Sequence, residues 1–322
     1  MTGTGTEAQG SRYLGALPTE TIELHPIIAL ARARIVAAAA ELRSVQDGAL
    51  EQAWRWRGEP SEVRYGFYDA YEQLEVASGA VRGAVTQAGT VPAAGAGRAA
   101  RATAARWDLH ARLLPLTEDD LDRDPGGGEW TIRQTLAHII NAQRAYGHYT
   151  AWWFLQRDVD PFPDTIPASV DDGFPDEAIE GDGSLAEVRA RLDDLLDLET
   201  SHMAGLDEAQ LAARAKWSGV WVDVGFRMGR WSSHLREHTV QVDKTLVMLA
   251  WTPREVDRLV GLIVGAYGRL EAEVFGLPAA VLDHMGSDGR TPAGVIDEVA
   301  ARLAALAPSV LASSREDSPR PA

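Results

Sequence analysis

His234 and His238 are the one closely spaced histidine pair in a chain of 322 residues that has eight histidines and no cysteine. They fall in WSSHLREHTVQVDKTLVMLAW, residues 231–251, where Leu235, Val242, Leu246 and Leu249 recur at helical spacing before Thr252-Pro253. The pattern predicts one helix, with Ser232 or Ser233 capping its start. Residues four apart share a helix face, their Cβ atoms roughly 5–6 Å apart. Two imidazoles so placed can converge on one metal ion beside the apolar row that faces a core. Such pairs also arise by chance, and a third ligand distinguishes the two cases. The same residues read H-x-x-E-H, the inverted zinc-protease pattern. In that reading Glu237 is a catalytic general base and a downstream carboxylate, Glu271 or Glu273, is the third ligand. Glu237 serves equally well as a surface partner of Arg230 or Arg236.

The elements around the pair are helical. Apolar periodicity predicts helices over residues 23–43, 60–85, 99–114, 130–157, 184–206, 254–274 and 292–306, with almost no strand pattern. Residues 216–229 read as a short extended piece leading into the histidine helix. Trp54 and Trp56 read as packing residues before the second helix. In EWTIRQTLAHIINAQRAYGHYTAWW, Thr131 and Gln134 fit a capping box, and His138 lies among Ile132, Leu136, Ile139 and Ile140. A histidine on an apolar face is usually a hydrogen-bonded core residue, but this helix should pack against the pair-bearing one. His148 is the next candidate ligand. His25 reads as a helix-start residue, His110 as structural or solvated, and His202 as solvated. Asp193, Asp194, Asp197 and Glu199 read as a wet helix face. Residues 158–183 hold four prolines, nine acidic residues and no basic one. Loops of that length are functional or solvated excursions, and a lid over the site is one reading.

The expected architecture is all-α. Residues 1–18 read as a disordered N-terminus, 19–88 as an N-terminal helical region, and 98–252 as a four-helix bundle. Residues 253–310 form a C-terminal helical region and 311–322 a disordered tail. Ala88 to Gly97 reads as a linker. Net charge is −16 and the pI about 4.9, which argues against nucleic acid and anionic membranes as partners. No signal peptide or membrane span is visible, so a cytoplasmic location is expected. Without cysteine, thiol chemistry needs a thiol from outside the chain.

WTIRQTLAHIINAQRAY followed by GRWSSHLREHTVQVDKTL resembles the DinB/YfiT superfamily of metal-binding bundles, over roughly residues 98–251. The resemblance implies an up-down-down-up four-helix bundle with added N- and C-terminal helices. It also implies a divalent metal, zinc or nickel, held by His138, His234 and His238, with Asn141 and Gln241 lining the substrate pocket. The superfamily includes thiol S-transferases that use mycothiol or bacillithiol and mycothiol-dependent maleylpyruvate isomerases. The expected function is therefore a metal-dependent transfer of a low-molecular-weight thiol to a small electrophile, in a protein that forms a homodimer. The alternatives are a non-catalytic metal-binding or sensor module and a zinc hydrolase using the H-x-x-E-H motif.

Overall fold

A computed structural model describes residues 12–314. Helix α1 (Pro26–Arg43) leads into a hairpin, β1 (Ala53–Trp56) and β2 (Glu59–Glu62), and then α2 (Val63–Gln87). Next come α3 (Ala94–Leu113), the short α4 (Glu118–Asp122), α5 (Ile132–Leu155), the short α6 (Glu177–Glu180) and α7 (Leu185–Met203). The short α8 (Glu208–Leu211), a second hairpin of β3 (Arg214–Trp217) and β4 (Val220–Asp223), and α9 (Val224–Met248) follow. The chain closes with α10 (Glu255–Ala272), α11 (Ala279–Leu282) and α12 (Pro292–Ser313). No helix among the described residues is long and apolar enough to cross a membrane.

The fold is all-α apart from the two antiparallel hairpins. Helices α3, α5, α7 and α9 form a bundle around Leu109, Leu136, Ile139, Leu192, Leu195 and Leu235. A capping box sets the start of α5 as expected: Thr131 Oγ1 accepts from the Gln134 amide, and the Gln134 side chain accepts from the Thr131 amide. Helices α1, α2, α10 and α12 pack around Ile35, Phe67, Leu74, Ile263 and Val299. The two terminal regions thus form one second bundle. The bundles meet along α3 and α10. Gly268 permits that approach, because a Cβ there would lie 2.4 Å from Trp107 Cβ.

Several sequence expectations change. Residues 12–18 are not a free tail, since Leu14 and Leu17 are buried beside Trp152 and Trp153; residues 1–11 lie outside the described residues. The last helix runs to Ser313, so the expected tail at 311–322 starts later, and 315–322 lie outside the described residues. Within the supposed linker, residues 94–97 are helical. Gly95 is needed there because a Cβ would meet the Met203 carbonyl oxygen at 2.2 Å. The histidine helix begins at Val224 rather than Trp231, capped by Asp223, whose Oδ1 accepts from the Phe226 amide. Gly225 and Gly229 dilute the apolar period in that first part, which hid it.

Of the supposedly wet face of α7, Asp194 is exposed as expected, but Asp193, Asp197 and Glu199 pack against the rest of the molecule. Glu199 is fully buried, and burial holds its carboxyl well above the usual range. Asp197 accepts from Arg32 and Arg106. Asp193 accepts from His110 Nε2 at 2.8 Å, while Arg189 Nε donates to His110 Nδ1 at 3.2 Å. With both ring nitrogens engaged in that sense, His110 is neutral, and burial lowers its pKa to about 4. At the seam between bundles, Glu271 of α10 accepts from Arg32, Thr103, Arg106 and Trp107. Its pKa falls to about 2, because these cations and donors outweigh the burial that would raise it. Glu271→Ala leaves the buried Arg106 without this partner and is expected to cost about 3–5 kcal/mol. Denaturant unfolding measures this, and a loss below about 1 kcal/mol would show that the network is not holding the seam.

Candidate metal centre

The packing of α5 against α9 brings the expected histidines together. Ligand atoms of His138, His234 and His238 all lie within 4.8 Å of one another. His234 Nε2 and His238 Nε2 are 2.9 Å apart, and the His138 ring centroid is 5.3 Å and 4.9 Å from theirs. The i, i+4 spacing on α9 produces the first contact, and position 138, two turns into α5, supplies the third ring.

Neighbouring side chains set the ring orientations. Gln241 Oε1 lies 2.7 Å from His238 Nδ1, so that nitrogen carries the proton and Nε2 presents its lone pair to the centre. Glu177 Oε2 lies 3.3 Å from His138 Nδ1 and does the same for His138. These are the outer hydrogen bonds that orient metal-binding imidazoles. His234 is 4% exposed, and its Nδ1 is buried with no hydrogen-bond partner. Burial, then the two neighbouring rings, lowers its pKa to about 3; burial also lowers that of His238. Neutral imidazole is the form that binds a metal. Three convergent rings, two with oriented tautomers, fit a divalent cation, and they leave coordination positions for other ligands.

Other expected residues fall differently. His148 is buried against Phe174 and is not among the converging ligands. Glu237 accepts from Arg230 with both carboxylate oxygens, at 2.8 and 2.7 Å. It is thus the surface partner rather than a free base. Glu271 lies in the inter-bundle network and Glu273 pairs with Arg82. With those carboxylates engaged elsewhere, the zinc-hydrolase arrangement is not formed. Asn141 donates to Glu177 at 2.9 Å, so it and Gln241 hold partners or rings of the centre.

The acidic segment 158–183 is tied down over α5. Glu180 is buried and paired with Arg144 and Arg191, which sets Glu177 beside His138. Sequence reasoning missed Glu177, since nothing marks it among nine acidic residues. It also missed Tyr146, eight residues after His138 on the same helix, whose ring lies edge-on to His234 at 5.1 Å. Tyr146 leads from the centre into a cavity of about 390 Å³ between α5, the acidic segment and the second hairpin. Tyr149, Trp153, Lys216, Trp217 and Arg227 line it. Arg227 is 3% exposed and donates to Thr150 Oγ1 and the Lys216 carbonyl. Among the described residues no carboxylate pairs with it, and burial lowers its pKa to about 10.

Residues 101–242, which hold the whole centre, match the family model of the DinB superfamily. No curated protein and no solved structure matches the chain.

The depressed pKa of His234 fixes a pH dependence for the metal-free protein. Its ring binds a proton at about 3 when folded, against 6.5 ordinarily. Between those values the unfolded chain holds more protons, so stability falls as pH drops from 6.5 towards 3. Nitrogen chemical shifts of the His234 ring should remain those of neutral imidazole at pH 5. A ring titrating near pH 6.5 would contradict the assignment.

Proposed function

We propose that the protein is a divalent-metal-dependent enzyme of thiol S-transferase type. The observation that supports this best is the convergence of His138, His234 and His238 beside an aromatic cavity. The three imidazoles would hold zinc or nickel. A metal there supplies Lewis acidity and favours the thiolate form of an incoming thiol. The chain has no cysteine, so that thiol is a separate small molecule such as mycothiol or bacillithiol.

The remaining work falls to this chain's own residues. Gln241 and Glu177 keep the ring protons on Nδ1 and so keep Nε2 directed inward. Trp153, Tyr149 and Trp217 offer apolar walls that exclude water from the reacting groups. Arg227, buried and unmatched by a carboxylate, is suited to an anionic group on the thiol or the electrophile. A carboxylate-bearing partner would satisfy the guanidinium, which has no carboxylate partner among the described residues.

Elemental analysis of the purified protein beside His238→Ala tests the first part. One equivalent of zinc or nickel is expected in the parent and none in the variant. No metal in the parent after reconstitution would overturn the enzyme reading and favour a non-catalytic binding module. In thiol-transfer assays with carboxylate-bearing electrophiles, Arg227→Gln should lose about 2 kcal/mol, roughly thirtyfold, in kcat/KM. An unchanged kcat/KM would remove Arg227 from substrate recognition.

A further inference from the structure

The order of elements repeats. The 3₁₀ turn at Asp47 and α8 at Glu208, β1 at Ala53 and β3 at Arg214, and α2 at Val63 and α9 at Val224 each begin 161 residues apart. The same interval separates Ala94 of α3 from Glu255 of α10, and Glu118 of α4 from Ala279 of α11. Helices α5 and α12 begin 160 residues apart, at Ile132 and Pro292. Local geometry repeats with the elements. The hairpin turns use Arg57 and Gly58 at φ 51° and 90°, and Ser218 and Gly219 at φ 49° and 81°. The Val63 amide donates to the Gln52 carbonyl at 2.9 Å, and the Val224 amide donates to the Ala213 carbonyl at 2.9 Å. Thr131 and Thr291 each cap a helix by accepting from the amide three residues on. Even a buried pair recurs, as His110–Asp193 in one bundle and Glu271–Arg32 in the other.

We infer that the chain is a duplication of one unit of about 161 residues, in which each bundle takes two helices from each copy, and that the second bundle contains the counterpart of the metal centre with its ligands replaced. The first copy supplies α1 and α2 to one bundle and α3 and α5 to the other; the second copy supplies α7 and α9, then α10 and α12. With the 161-residue interval, His234 and His238 correspond to Gln73 and Ala77 of α2. With the 160-residue interval, His138 corresponds to Glu298 of α12.

These three residues, drawn from opposite ends of the chain, line one cavity of about 210 Å³. The cavity therefore stands where the duplication places it. Its chemistry has been rebuilt. Gln73 Nε2 donates to Asp69, which also accepts from Trp56 Nε1 at 2.7 Å. Glu298 pairs with Arg302. Asp69 occupies the position of Arg230 and Trp56 that of Trp217, so the hairpin tryptophan meets the same helix position in both bundles. Ala77 has no ligand atom, and Gln73 offers only a neutral amide, so the second cavity lacks the counterpart of the histidine set.

Two substitutions should restore one. Gln73→His with Ala77→His rebuilds the i, i+4 pair, and Glu298 already provides a carboxylate in the third position. Adding Glu298→His reproduces all three imidazoles. With zinc or nickel added and the fold checked by circular dichroism, at least one of these variants should gain one equivalent of metal over the parent. The gain is counted against the parent, so an empty parent with a filled variant would overturn the proposed function and leave the duplication standing. A folded double and a folded triple variant that both gain no metal would overturn it. Loss of fold in the double variant would also overturn it, because a counterpart cavity accommodates two imidazoles at these positions.

Discussion

The structure depends on a carboxylate buried where two bundles meet. Glu271 has no access to bulk water, and its charge is tolerable only because Arg32, Arg106, Thr103 and Trp107 converge on it. Those partners come from α1 and α3, and Asp197 of α7 joins through the same arginines. One charge cluster therefore fixes four helices from both bundles. The register it sets extends along α3 to His110, whose neutral ring bridges Asp193 and Arg189. Polar order at the seam holds α3 and α7 in position, and α5 and α9 complete the bundle against them.

The centre follows from that placement. His234 is buried with its ring edge-on to Tyr146, and burial, then the two neighbouring rings, keeps it uncharged. His138 and His238 are more open, and each is steered by an oxygen acceptor on Nδ1. Glu177 arrives from an acidic segment that would drift in solution without the anchors formed by Glu180, Arg144 and Arg191. The pocket beside it combines aromatic walls with one unmatched guanidinium, a pairing that discriminates by charge and by shape.

Much of this was legible in the residues. The capping box at Thr131, the apolar rows, and the spacing of His234 and His238 state their own structure, because helical periodicity ties sequence distance to spatial distance. Position 138 was readable only with the resemblance, since one histidine in an apolar row has no local signature. The first hairpin was missed because four-residue strands such as Glu59–Glu62 are too short for an alternating pattern, and the second was legible only as a short extended piece over residues 216–229. The buried acids of α7 were misread because polarity predicts solvent only where nothing packs, and the covering bundle comes from distant sequence. The repeat itself is faint. Val63 and Val224, Trp56 and Trp217, and Leu74 and Leu235 agree, but the residues with distinctive chemistry in one copy have been exchanged in the other.

The placement of α1 and α2 has a consequence for biosynthesis. Their apolar faces, including Ile35, Phe67 and Leu74, are covered by α10 and α12, which are translated only after residues 94–248. At roughly 5–20 residues per second, those faces wait on the order of ten to forty seconds after leaving the ribosome. Meanwhile the contiguous bundle of residues 94–248 can close on itself. Residues 94–248 can therefore pack before α1 and α2 meet their partners, and α1 and α2 carry uncovered apolar faces for that interval.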